Sequence, residues 1–177
     1  GMIGTTSYNG VFDGNGHTLS NFTISAATTD NVGLFATLGG SAEIKNLTLT
    51  GISVTGRDST GGLVGYMGTT TSKITNCSTS GSVAGAVRTG GLVGYSLGGL
   101  VQTSSSSAAV SGAANQHGGL IGQASGATAD ILSSFATGAV SGASDVGGLV
   151  GSITNGDIST SYATGAVTAS SLHSGGL

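Results

Sequence analysis

The side chains with the most obvious chemistry are few: seven acids, three histidines and one cysteine among 177 residues. A polysaccharide hydrolase or lyase needs two carboxylates, or an acid and a base, held across one bond. The acids Asp13, Asp30, Glu43, Asp58, Asp130, Asp145 and Asp157 are scattered. Asp130 and Asp157 share a context on successive repeats, each directly before an isoleucine. Like charges stacked one strand apart can raise one pKa, but no Lys or Arg accompanies this pair. A solvated corner, where exposed charges are screened, is the preferred reading. The histidines His17, His117 and His173 do not cluster as a zinc site would require. The last two sit near repeat ends, two turns and so roughly 10 Å apart, and are read as surface residues. Asp13-Gly14-Asn15-Gly16 lacks the further carboxylates and closing Glu of a calcium loop, and its residues suit a tight turn. No catalytic residue, metal or cofactor is expected.

Three Asn-x-Ser/Thr sequons begin at Asn21, Asn46 and Asn76. Each follows an aliphatic residue (Leu19, Ile44, Ile74) by two positions, which predicts a stacked asparagine ladder in place of glycosylation acceptors. Cys77 aligns with Leu47, Ser104, Ser134 and Ser161, so it is expected to be a small inward-facing residue. As a lone cysteine it forms no internal disulfide.

The elements that must position these residues repeat. GGLVG begins at Gly61, Gly90 and Gly147, GGLIG at Gly118, and Gly175-Gly176-Leu177 starts another copy. Val32-Gly33-Leu34-Phe35 is a degenerate first copy, and the steps are 28 or 29 residues throughout. In phase with them, Leu19, Ile44, Ile74, Val101, Ile131 and Ile158 open short stretches. Val83, Val110, Val140 and Val167 follow the last four by nine residues. Three short strands per repeat, separated by Gly, Ser and Asn clusters, describe an all-β, right-handed parallel β-helix of about six turns. Leu34, Leu63, Leu92, Leu120 and Leu149 should form one buried column. Residues 1–31 are the leading part of this single domain and 32–177 its regular repeats.

Composition agrees. Glycine occurs 35 times and proline never, while 37% of residues are hydrophobic and net charge is only −3, which argues against both collagen and disorder. Four basic residues cannot make a phosphate-binding stripe, so nucleic acid is excluded. No apolar run is long enough to span a membrane, and the start lacks the charged and apolar regions of a signal peptide. Gly1-Met2 has the look of a removed tag. The anchor cut at Leu177 predicts further repeats of the parent chain as neighbours.

The anchors at 61–65, 90–94, 118–122 and 147–151, with FDGNGHTL at 12–19 and VGLF at 32–35, resemble the GLUG motif. This resemblance implies an extracellular or cell-surface bacterial protein of the kind that includes filamentous-haemagglutinin-like adhesins and immunoglobulin A proteases. It implies accessory repeats and no reaction; the metalloprotease sequence HExxH is absent. The expected function is structural and adhesive, with a host or cell-surface protein or glycan as partner. Variation concentrates just before each anchor, at Arg57, Asp58, Arg88, Gln116, His117, Asp145 and His173, which makes this corner the expected binding ridge. Tyr66 with Tyr95, and Phe135 with Tyr162, hold matching phases. They are expected to stack across strands, although outward aromatics would also suit a carbohydrate-binding or carbohydrate-active β-helix. An accessory region of a secreted protease is the third reading.

Overall fold

The computed structural model describes residues 1–177 as strands, turns and bends with no helix. Every strand pairing is parallel, and the chain winds as a β-solenoid of about six turns. Three sheets form its walls. A 13-stranded sheet carries the stretches that begin at Ile44, Ile74, Val101, Ile131 and Ile158. A five-stranded anchor sheet stacks Phe35–Leu38, Val64–Met67, Val93–Ser96, Ile121–Ala124 and Val150–Ile153. The third sheet contains Asp58–Gly61, Val87–Gly90, Asn115–Gly118, Ser144–Gly147 and Ser174–Gly175. Its polar sequence gives no strand signal, so the segment before each anchor reads as a loop. Hydrogen bonding to identical segments above and below makes it a strand.

The anchor itself is a corner. The corner sheet ends on its first glycine, and the anchor sheet begins on its fourth residue. The bend is so tight that a Cβ on Gly90 would collide with the Val93 carbonyl oxygen, and one on Gly118 with that of Ile121. Backbone proximity, not a left-handed φ, thus demands glycine at these positions.

Inside, 27 buried residues form one hydrophobic cluster. Leu63, Leu92, Leu120 and Leu149 are all 0% exposed and form the expected column, with Leu34 only partly buried at its start. A second column runs Ile44, Ile74, Val101, Ile131 and a partly buried Ile158. Full burial of such a side chain is worth about 1.5–3 kcal/mol.

The first turn departs from the expected phase. Phe12, not Leu19, pairs with Ile44, and Leu19 pairs with Leu49. Gly14, Asn15 and Gly16 stand opposite Asn46 alone, a bulge that shifts the register between Asp13 and His17. Asn15 and Gly16 take positive φ within it.

Candidate functional site

Two columns of left-handed backbone run along the solenoid. The first comprises Asn46, Asn76, Thr103, Ser133 and Thr160, with φ between 49° and 54°. The next residue in each turn points inward. From Cys77 on, these residues form an internal ladder, in which the N–H groups of Cys77, Ser104 and Ser134 each donate to the Oγ of the next turn's serine, at 3.1 Å. The Ser104, Ser134 and Ser161 hydroxyls donate in turn to carbonyls two residues back in their own turn, at 2.8–2.9 Å. Buried polar groups are thereby satisfied, and Cys77 is the small inward residue expected. On the outside, Asn76 Nδ2 donates to Asn46 Oδ1 at 2.8 Å, and Asn46 Nδ2 donates to Asp13 Oδ1 at 3.0 Å. The ladder therefore ends on Asp13, whose carboxyl the Asn46 amide holds below its ordinary range. Asn21 does not belong to it. The bulge places Asn21 beside Thr50 and Gly51, and its N–H donates to the Thr50 carbonyl at 2.8 Å.

The second column is the variable corner: Asn31, Ser59, Arg88, Gln116, Asp145 and His173 all have positive φ, from 48° to 68°. Charged side chains in this column (Arg88, Asp145, His173) and beside it (Asp30, Arg57, Asp58) meet the neighbouring turn. Arg57 Nε donates to Asp30 Oδ1 at 2.7 Å and Nη2 to Asp30 Oδ2 at 2.6 Å. That guanidinium holds the Asp30 carboxyl below its usual range. Arg88 makes the same two-pronged contact with Asp58, its Nε at 2.7 Å from Oδ1. Its guanidinium carbon also lies 4.6 Å from the centre of the Tyr95 ring, a cation–π geometry. Asp145 Oδ1 is 3.1 Å from His173 Nδ1. The ridge charges are thus largely paired with one another. Asp30 was absent from the expected ridge. Its signal was an acid about one repeat before Arg57, 27 residues against the 30 from Asp58 to Arg88.

His117 is a correction. It is not a surface residue and does not share a phase with His173; it pairs with Thr89 and Val146 and is 0% exposed. One position separates inward from outward in a strand, so Gln116 takes the outer place beside Asp145.

The aromatic pairs stack as their phases imply, Tyr66 on Tyr95 at 5.2 Å and Phe135 on Tyr162 at 5.1 Å. Strand stacking turns ring faces toward each other, and Arg88 also lies over Tyr95, which leaves less ring face for a sugar. Tyr95 Oη and Ser125 Oγ share a 2.9 Å hydrogen bond. Asp130 and Asp157 are neighbours on adjacent turns, and Asp130 Oδ1 accepts the Asp157 N–H at 3.0 Å. That carboxylate serves as a rung between turns. The largest concavity, about 420 Å³, is an open groove lined by residues such as Thr55, Gly56, Gly85, Ser111, Gly112 and Ser141. No titratable side chain lines it.

Comparison with known proteins agrees with this architecture. Over 75 residues, 42% of its length, the chain is 37% identical to Halomucin of Haloquadratum walsbyi, a stretch that amounts to 1% of Halomucin. Among solved structures, a candidate immunoglobulin A1 protease from Bacteroides ovatus matches with a TM-score of 0.79 and 29% identity. The match covers 90% of this chain and 52% of that one. The chain thus corresponds to about half of the solved relative and to a hundredth of Halomucin. Residues 142–168 match the GLUG motif, and they form one turn of a solenoid whose neighbouring turns pair with it in register.

Proposed function

We propose that the chain is a non-catalytic, stiff and adhesive segment of a bacterial extracellular or cell-surface protein, with its contact ridge along the variable corner. The observation that carries this reading is the use made of the polar side chains. Asp13, Asp30, Asp58, Asp130, Asn46 and Asn76 each bond to an adjacent turn. A general acid or base instead needs a cleft and a free reacting partner. The likeness to a candidate immunoglobulin A1 protease and to Halomucin supports placement outside the cell. Within the first of these proteins, the region would act as support or as a docking module.

The test joins binding and activity. Beads coated with the chain are offered to glycan arrays and to mammalian cell surfaces, alongside beads carrying Arg57→Ala/Gln116→Ala. Retention that falls with the double variant is expected. Peptide-release and reducing-sugar assays across pH, with and without divalent metal, should show no turnover. Hydrolysis that disappears in Asp130→Asn or Asp157→Asn would overturn the proposal.

A further inference from the structure

The corner sheet carries an inward column of Val32, Thr60, Thr89, His117, Val146 and Ser174. Valine suits this place, and the three middle residues do not. Thr60 Oγ1, Thr89 Oγ1 and both ring nitrogens of His117 are buried without a hydrogen-bond partner. The His117 ring is held between two glycines: a Cβ on Gly112 or on Gly142 would run into its ring atoms. The imidazole therefore fills volume that side chains at 112 and 142 would otherwise take. A buried polar group with no partner costs about 1–3 kcal/mol, and a second proton on this ring would add an unpaired buried charge.

We propose that His117 is an acid-sensitive weak point built into the middle of the solenoid: protonation of its imidazole is incompatible with the closed turn and opens the wall around residues 112–146.

No neighbouring charge holds such a proton in place. The strands packed against Asn115–Gly118 are Val87–Gly90, Ala109–Gly112, Ile121–Ala124, Val140–Gly142, Ser144–Gly147 and Val150–Ile153. Their only titratable side chains are Arg88 and Asp145. Both are directed outward, Arg88 to Asp58 and the Tyr95 ring, Asp145 to His173. No carboxylate thus faces the ring. Burial accordingly lowers the pKa of His117, and the nearby Ala114 backbone, whose approach falls short of hydrogen-bond geometry, opposes this only in part.

The direction of the pH effect follows. A histidine with a depressed folded pKa takes up its proton more readily once the turn opens. Stability is therefore fully present above the free imidazole value of about 6.5 and is lost as pH falls from there toward the folded pKa. The Asn46 amide and the Arg57 guanidinium hold the Asp13 and Asp30 carboxyls below the ordinary carboxylate range, so these two do not obscure this window.

Hydrogen exchange on the full chain between pH 7.5 and 5, expressed as protection factors, tests the proposal. Amides in 112–146 should lose protection by about tenfold per pH unit once below the free histidine value, the slope for one proton. His117→Val places in this turn the residue found at 32 and 146 and should remove that slope. His173→Asn, at the exposed corner histidine, should keep it. The wild-type ring carbon of His117 is followed by NMR in parallel, which tests the proposal independently of how the valine variant folds. A ring that titrates at the ordinary histidine value with protection unchanged would overturn the proposal. So would a pH slope that persists in folded His117→Val.

Discussion

Cys77 has the chemistry of a nucleophile and the surroundings of a core residue. Burial pushes its thiol up to about 11 from a reference of 9.0, and its Sγ lies 3.4 Å from the Thr75 carbonyl oxygen. A thiol raised that far carries about a hundredfold less thiolate at neutral pH. Iodoacetamide at pH 8 should therefore label the native chain at least about a hundredfold more slowly than the urea-unfolded chain, as followed by mass spectrometry. The inward place of Cys77 was legible from its alignment with Ser104, Ser134 and Ser161. The backbone N–H that each of these serine oxygens accepts was not legible, because it depends on which turn lies next to which. His117 shows the same boundary from the other side. Whether a residue beside a corner points in or out turns on one position of register, and composition gives no sign of it.

At the level of the strand and its corner, paired turns are joined by side chains 27 or 30 residues apart, as in Asp30–Arg57 and Asp58–Arg88. These contacts differ in exposure. The Arg57 side chain is 58% exposed, whereas Arg88 and Asp58 are 27% and 26% exposed and share their surroundings with Tyr95. Solvent screens the outer pair more strongly. A double-mutant cycle on Asp58→Ala and Arg88→Ala, read by urea unfolding, should give a coupling of about 1 kcal/mol that weakens in high salt. Arg88→Lys should recover only part of it, since a two-pronged contact and ring stacking both need the planar guanidinium. Both partners were visible in the sequence as members of a variable corner. Their pairing was not, since it depends on which turn lies beside which and on the left-handed backbone at Arg88.

Across the whole molecule, each turn buries its interior against its neighbours, so a defect is felt according to its place in the stack. Leu92 is 0% exposed with a buried leucine on each side, while Leu34 is only partly buried beside an apolar groove of about 210 Å³. Leu92→Ala should cost about 2–5 kcal/mol, and Leu34→Ala clearly less, measured in the same urea titration. If the two were equal, stability would not depend on position in the stack.

The sequence by itself determined the solenoid. Glycine at the tight anchor and aliphatics at fixed steps of 28 or 29 residues leave few other ways to bury this surface. The leucine column, the stacked aromatics and the neighbouring Asp130 and Asp157 were all legible from phase. Tertiary structure decided what phase cannot carry. The bulge at Gly14–Gly16 moved Leu19 onto Leu49 and removed Asn21 from the ladder, because extra residues in one strand change its partner without changing the composition. The corner strands exist only through hydrogen bonds to their copies. His117 is buried because the backbone on either side of it lacks side chains at Gly112 and Gly142, two positions that come together only when successive turns are stacked.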